Sequence, residues 1–222
     1  MNPSNQLNLA HPLSRLAWKM VPNNSERSFL LGTSAVGRKG DRWPCVDVNG
    51  KERMLHLLAT FDTDDLPEDM QDAYGGPGHL FQLFVAPVDW AYDAEYPFDV
   101  WVIPKSEATA RLTPPEKYVL QDAIGIGFSA HVDFPFNHGG PYLPGHEQFF
   151  DKHDDETLHH WDDKIGGWPS LEQGPSENFE QHETILLQVV GGGITGDDYA
   201  FDGHAWLVKN DQDEYVWDST MG

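Results

Sequence analysis

A Gly-Gly-Trp-Pro sequence at residues 166–169 constrains the fold of this chain more than any other feature. Gly166 and Gly167 have no side chain to bury, so a glycine pair here indicates a sharp turn or the close approach of a neighbouring strand. Pro169 fixes its own φ and has no N–H to donate, which ends a regular strand ladder. The stretch therefore predicts a structural corner with Trp168 packed into it, and it contains no acid, base or nucleophile.

Short apolar runs with the composition of β-strands recur along the chain. They are separated by Gly, Pro and Asp turns and cover residues 28–36 (interrupted at Gly32), 54–61, 79–86, 98–103, 124–132, 184–190, 203–209 and 214–217. Helical patterns are rarer and cover residues 12–20, 113–121 and 146–161, and the acidic segment after residue 61 is either a polar turn or a short helical start. Because strands follow one another instead of alternating with long helices, the pattern predicts a β-rich α+β fold with a few short helices.

A weak internal repeat relates residues 28–86 to residues 163–217. Each half contains, in the same order, a Trp-Pro pair, a Leu-Leu strand, an acidic stretch and a Gly-His pair: Trp43-Pro44, Leu57-Leu58 and Gly78-His79 in the first half, and Trp168-Pro169, Leu186-Leu187 and Gly203-His204 in the second. No linker rich in Pro, Ser and charge separates the halves. The repeat predicts a pseudo-duplicated antiparallel sheet core within a single domain of residues 1–222.

The charge of the chain is strongly and unevenly negative. The net charge is −22: residues 1–53 carry eight Lys/Arg and four Asp/Glu, whereas residues 54–222 carry six Lys/Arg and 32 Asp/Glu. Such a field repels nucleic acids and anionic membranes and speeds encounter with a basic protein. We therefore predict a basic protein partner, although acidity that serves solubility alone is the alternative. The predicted partner-binding residues are Asp154, Asp155, Glu156, Asp162 and Asp163.

Cysteine usage and the absence of apolar spans bear on the compartment. Cys45 is the single cysteine, so neither an intramolecular disulfide nor a multi-cysteine metal site can form. It has no neighbouring base in the sequence, and we expect it to be buried. The sequence shows neither a basic segment followed by an apolar run at its start nor a run long enough to span a bilayer. These features predict a cytoplasmic protein with no membrane partner, and they leave its oligomeric state open.

The His-rich segment from His131 to His160 supports an alternative function, a metal-dependent hydrolase. Its candidate metal ligands are His146, His153, His159 and His160. None of their spacings places two imidazoles on adjacent turns of a helix face, and the segment is rich in Asp and Glu, so a solvated acidic surface is favoured. Ser129, His131 and Asp133 alternate along a predicted strand, which is not the contact geometry of a catalytic triad. We therefore favour binding over catalysis and expect no catalytic residue, metal or other cofactor.

Several of these segments together match the pattern of a known family. They are Trp43-Pro44, residues 54–67, residues 78–85, residues 164–173 and residues 184–190, and they resemble the YwqG-like proteins of bacteria. The resemblance implies a single β-rich domain with a pseudo-duplicated core and a cytoplasmic location. Some members look like immunity proteins of toxin systems, which implies a toxin as the basic partner. The chain differs from the family pattern at residues 31–34, where a Gly-Gly-x-Pro element is usual, and at residues 191–193, where an acidic turn is usual.

Overall fold

The structure is a computed structural model that describes residues 14–32, 34–48, 50–86, 97–114, 122–134, 162–170, 184–196, 203–210 and 212–220. Within these residues the chain is β-rich, as predicted. Its strands are β1 (Arg15–Pro22), β2 (Phe29–Leu30), β3 (Ala35–Gly37), β4 (Cys45–Val48), β5 (Lys51–Met54), β6 (His56–Asp62), β7 (His79–Val85), β8 (Phe98–Pro104), β9 (Ala110–Leu112), β10 (Ile124–Asp133), β11 (Lys164–Gly166), β12 (Thr184–Val190), β13 (His204–Lys209) and β14 (Tyr215–Thr220).

Helical structure is sparse in the described part of the chain. The α-helix α1 (Glu68–Gln71) lies between two 3₁₀ turns, Thr63–Asp65 and Asp72–Tyr74. Of the two alternatives for the segment after residue 61, this confirms the helical start. Among the described residues, no helix is long and apolar enough to cross a membrane.

The chain divides into two compact units, and residues 21–128 form the first, which we call the central unit. Its main sheet is antiparallel with strand order β10-β2-β6-β7-β8. A cluster around Trp43, Leu57 and Phe84 forms part of its core, and the Trp43 indole N–H donates to the Leu55 carbonyl over 2.8 Å. The two-stranded ladders β3-β9 and β4-β5 supply residues of this cluster and of its margin.

Residues 1–20 and 129–222 form the second unit, which we call the terminal unit. Its antiparallel sheet has strand order β1-β11-β12-β13-β14. Strands β12 and β13 are buried from Ile185 to Val190 and from His204 to Val208, which places the apolar core along them. The predicted hairpin between β13 and β14 is confirmed: the Asn210 side chain accepts from the backbone N–H of Glu214, and Asp213 turns the chain with φ +66°.

The two units share a pairing register. In the central unit, β6 carries a bulge where it pairs with β7. In the terminal unit, β12 carries a bulge where it pairs with β13. Asp62 ends one bulged strand opposite Leu80, and Val190 ends the other opposite His204. By strand register, His204 therefore corresponds to Leu80. The sequence repeat instead aligns His204 with His79, so the two alignments differ by one residue. A polar residue of the terminal unit thus stands where the central unit has an apolar one.

Strand β1 replaces the helix that spacing predicts at residues 12–20, so that prediction is wrong where the structure describes it. Ala17 pairs with Gly166 of β11, and Lys19 pairs with Lys164. Ladder formation with β11 overrides the local helical pattern, as tertiary pairing often does. Most of the helix predicted at residues 113–121, and all of the one at 146–161, lie outside the described residues.

Candidate functional site

The Gly-Gly-Trp-Pro sequence forms the predicted corner, at the end of β11. Gly166 and Gly167 have φ values of +70° and +75°, which L side chains rarely adopt. A Cβ on Gly167 would also collide with the Asp133 carboxylate and lie 2.7 Å from the Cβ of Ala17. Trp168 is buried with 5% exposure, as predicted. Glycine is required at residue 167 by both backbone conformation and crowding.

A buried carboxylate, Asp133, holds this corner in place. Its Oδ2 accepts the backbone N–H of Trp168 over 2.8 Å and the Lys164 ammonium over 2.7 Å. Its Oδ1 accepts the backbone N–H of Phe134 over 3.1 Å. The side chains of Asp133 and Lys164 have no solvent exposure. We call these two side chains the buried ion pair; burying them is tolerable because each charge is paired and hydrogen-bonded.

Arg15 covers the outer side of the same corner. Its guanidinium lies 3.5 Å from the centre of the Trp168 ring, and Nη1 donates to the Gly167 carbonyl over 3.4 Å. Burial lowers the pKa of Arg15, and the charge of Asp133 opposes that shift. Stacking on the indole compensates part of the lost hydration of the cation.

Asp162 and Asp163, both predicted to bind a partner, lie in different environments. Asp162 is partly exposed at 31% and forms an ion pair with Lys19 over 2.6 Å. Asp163 is buried, and its carboxylate accepts the backbone N–H groups of Val190 and Ile194. Burial raises the pKa of Asp163, although the two N–H donors oppose that shift. Asp163 therefore anchors the turn after β12, and its role toward a partner stays a prediction.

Each unit has a buried glutamine that holds a nearby segment of backbone. In the central unit this segment follows β2, and in the terminal unit it follows β11. Gln82 accepts the N–H of Val36 and donates to its carbonyl, over 2.9 and 2.6 Å. Gln188 accepts the N–H of Ser170 over 2.8 Å and donates to the hydroxyl of Ser170 over 2.9 Å. Such side chains replace a strand partner, so these polar groups are used by the fold.

Ser129, His131 and Asp133 lie at alternate positions of β10. The Asp133 oxygens are engaged by the buried ion pair and by backbone N–H groups. His204 of β13 is a further buried histidine of the terminal unit, with 3% exposure. Burial, with a smaller effect of the Lys164 charge, lowers the pKa of His204 from 6.5 to about 4. The imidazole is therefore neutral at pH 7.

The acidic turn of the central unit is largely neutralised by its own cations. Arg27 donates to Asp62 Oδ2 through Nε and Nη2, over 2.9 and 2.6 Å, and pairs with Asp65 over 3.1 Å. Lys105 bridges Asp62 and Asp64. Burial alone would raise the pKa of Asp62, but hydrogen bonds from Lys105 and Arg27 outweigh it, so the pKa is lowered. His79 contacts the backbone carbonyls of residues 76 and 77 through Nδ1, the backbone contact typical of a histidine in an apolar strand.

Cys45 is exposed, so the prediction of a buried thiol is wrong. The residue opens β4, and its partner strand β5 is largely exposed. Partial burial, with a smaller effect of the Glu52 carboxylate, raises the pKa of the thiol. A raised thiol pKa lowers the thiolate fraction and with it the reactivity of Cys45.

Seven of the predicted site residues lie outside the described part of the chain: Asp154, Asp155, Glu156, His146, His153, His159 and His160. Within the described residues, no group of three or more His, Cys, Asp or Glu side chains could hold a metal ion. Sequence reasoning missed Lys164 and the structural role of Asp133. The available signal is weak: Asp133 is a single charged residue directly after the apolar segment 124–132, and Lys164 directly precedes Ile165.

The described buried charges of the terminal unit thus serve to hold backbone in place. Asp133 binds the N–H groups of the corner, Lys164 neutralises Asp133, and Asp163 binds the turn after β12. A scan against models of protein families finds no match, and no curated protein matches the chain.

Proposed function

We propose that this chain is a non-catalytic, acidic cytoplasmic protein that binds a basic protein partner. We further propose that it is a YwqG-like protein of a single domain with a pseudo-duplicated core, whose related halves are residues 28–86 and 163–217. An immunity protein that neutralises a bacterial toxin is one form of such a binder. The observation that carries the proposal is the net charge of −22 and its division between the units.

The terminal unit carries most of the excess negative charge. Its residues include five Lys/Arg and 19 Asp/Glu, a net of −14, whereas the central unit has nine Lys/Arg and 17 Asp/Glu, a net of −8. The terminal unit is therefore the more strongly negative body, and a basic partner is attracted to it more strongly.

The described cations of the terminal unit are engaged within it. Four of its five Lys/Arg have partners there: Lys164 with Asp133, Lys19 with Asp162, Lys209 with Asp213, and Arg15 with Trp168 and the Gly167 carbonyl. The fifth, Lys152, lies outside the described residues. The unit has 19 Asp/Glu and only five Lys/Arg, so its own cations cannot balance its negative charge. That surplus is what supports docking of a basic surface.

The proposed docking residues are those of the acidic run together with Asp162. Asp154, Asp155 and Glu156 are adjacent in the sequence, so neutralising them removes three charges from one place. Asp162 is partly exposed, and its pairing with exposed Lys19 is the kind of surface ion pair that contributes only about 0–1 kcal/mol. A basic partner can therefore replace Lys19 at little cost to the fold.

The test starts by capturing the partner from native host extract and identifying it by mass spectrometry. The association rate is then measured for the triple variant Asp154→Asn, Asp155→Asn, Glu156→Gln. The matched control is Glu68→Gln, Asp69→Asn, Asp72→Asn, which removes the same charge from exposed residues on and beside α1 of the central unit. We expect the first variant to associate more slowly than the control. Equal rates for the wild type and both variants would contradict docking through these residues.

A further inference from the structure

The buried ion pair links β10 and β11, which are not paired with each other in the sheet. Asp133 ends β10 and Lys164 begins β11, while β11 forms its ladders with β1 and β12. The Lys164 Nζ lies 2.7 Å from the Asp133 Oδ2, and neither side chain is exposed. We propose that these two side chains condense after folding to an isopeptide bond, a covalent link between Asp133 and Lys164.

The fold itself does not need an ion pair at this place. Lys164 of β11 lies opposite Gln188 of β12, and in the central unit Phe29 of β2 lies opposite Thr60 of β6. Phe29 therefore occupies the equivalent position without any charge. A buried ion pair is often no more stable than apolar residues of similar volume, because each charge loses its hydration. Converting two charged groups into a neutral amide removes that cost.

The condensation requires a neutral amine and a carboxylic acid. These form when one proton passes from the Lys164 ammonium to the Asp133 carboxylate along their 2.7 Å contact. The amine nitrogen then attacks the Asp133 carboxyl carbon, a C–N bond forms, and the C–OH bond breaks. The hydroxyl leaves with a proton from nitrogen as one water molecule, so no oxidant, reductant or further reactant is required.

Each oxygen of the Asp133 carboxyl group has one backbone N–H donor, so the oxygen that stays on the carbon and becomes negative during the attack is contacted by one of them. The N–H of Phe134 points to Asp133 Oδ1 over 3.1 Å, and the N–H of Trp168 points to Oδ2 over 2.8 Å. Donors that are fixed before the reaction stabilise an oxyanion without reorganisation. The corner at Gly166 and Gly167 is what brings the Trp168 N–H to this position, so the turn and the proposed reaction depend on one another.

Proximity supplies the remaining driving force. Groups held in the right geometry at contact distance react with effective molarities that reach about 10⁵–10⁸ M. In the unfolded chain Asp133 and Lys164 are 31 residues apart in sequence and have no such advantage. The bond is therefore expected in protein that has folded and not in protein kept denatured from synthesis onward.

The test is the intact mass of the purified full chain, measured under denaturing conditions. We expect a mass below that of the sequence by one water, about 18 Da. The variant Lys164→Arg keeps the positive charge but has no amine to acylate, so we expect it to show the full mass. Wild-type protein with the full mass would overturn the proposal.

Peptide mapping locates the bond. Trypsin does not cleave after an acylated lysine, so we expect wild-type protein to resist cleavage at Lys164 and to yield a branched peptide that contains Asp133. A water loss that persists in Lys164→Arg, or normal cleavage after Lys164, would place the loss at another residue and overturn the assignment.

Discussion

Gly167 shows how a single residue is fixed by two separate requirements. Its φ of +75° disfavours any side chain, and its hydrogen atoms face the Asp133 carboxylate and Ala17. Gly192 of the same unit has nearly the same conformation, with φ +72°, but nothing lies within 4 Å of the position of a Cβ. The two residues therefore separate the cost of backbone conformation from the cost of crowding.

We expect Gly167→Ala to destabilise the protein by more than Gly192→Ala. The control substitution should cost about 1–2 kcal/mol, the usual penalty for a left-handed L residue. Crowding against Asp133 should add about 1–3 kcal/mol for Gly167→Ala. Urea denaturation of the two variants measures the difference, and equal losses would show that Asp133 and Ala17 move aside freely.

His204 gives the stability of the protein a defined pH dependence. Its pKa is about 4 in the folded protein and has the ordinary value of 6.5 in the unfolded chain, so the unfolded chain binds more protons between these values. The contribution is fully present above pH 6.5 and is lost as the pH falls toward about 4. A shift of this size corresponds to roughly 3 kcal/mol.

His204→Leu is the matched variant for this pH dependence, because Leu80 holds the equivalent place in the central unit. Free energies of unfolding measured at pH 7 and pH 5 should fall more steeply on acidification in the wild type than in the variant. The lowered pKa of Asp62 acts at lower pH and does not enter this window. Parallel profiles for the two proteins would contradict the assignment.

At the scale of elements, the residue before β2 in the central unit and the residue before β11 in the terminal unit have the same role: each accepts a backbone N–H from the end of a neighbouring strand. Ser28 precedes β2, and its hydroxyl accepts the N–H of Asp62 at the end of β6 over 3.1 Å. Asp163 precedes β11, and its carboxylate accepts the N–H of Val190 at the end of β12 over 2.8 Å. Asp163 also binds the N–H of Ile194, so it holds a longer turn than Ser28 does.

We expect Asp163→Ala to loosen the turn of residues 190–196. The substitution leaves the N–H groups of Val190 and Ile194 without their acceptor, at about 1–3 kcal/mol for each buried group. Hydrogen exchange at these two amides should rise well above that in Asp162→Ala, which removes the partly exposed ion pair with Lys19. Similar protection in both variants would show that Asp163 does not anchor the turn.

Strands that carry their own signal were predictable, whereas strands defined by their partners were not. β7 and β12 are largely apolar runs, each interrupted by one glutamine, and such runs indicate buried strands from the sequence alone. β1 has apolar residues spaced like a helix, and β11 has three residues, one of them a glycine. Both exist because they pair with each other, which local patterns do not encode.

At the scale of the whole molecule, the corner was predictable but its chemistry was not. A glycine pair before Trp168 signals a tight turn in any sequence. The partner that makes the turn necessary, Asp133, lies 35 residues from Trp168 along the chain. A contact of that separation depends on the sheet, so the sequence alone showed Asp133 as the third member of a triad pattern and not as the acceptor at the corner.

The charge of the whole chain sets the expected kinetics of partner binding. If the excess acidity attracts a basic partner, long-range attraction should raise the association rate at low salt and fade as salt screens it. The Debye length shrinks from about 30 Å at 0.01 M salt to about 8 Å at 0.15 M. We expect a steep fall in the association rate across this range and a much smaller change in the dissociation rate.

The same measurement on the two triple variants assigns the attraction to a unit. Asp154→Asn, Asp155→Asn, Glu156→Gln should flatten the salt dependence more than Glu68→Gln, Asp69→Asn, Asp72→Asn, because the terminal unit carries −14 and the central unit −8. We expect the melting temperatures of both variants to stay within a few degrees of the wild type, because most substitutions away from the core change stability little. A salt dependence that is unchanged in both variants, with the partner still bound, would mean that these acidic residues only solvate the surface and that the partner docks elsewhere.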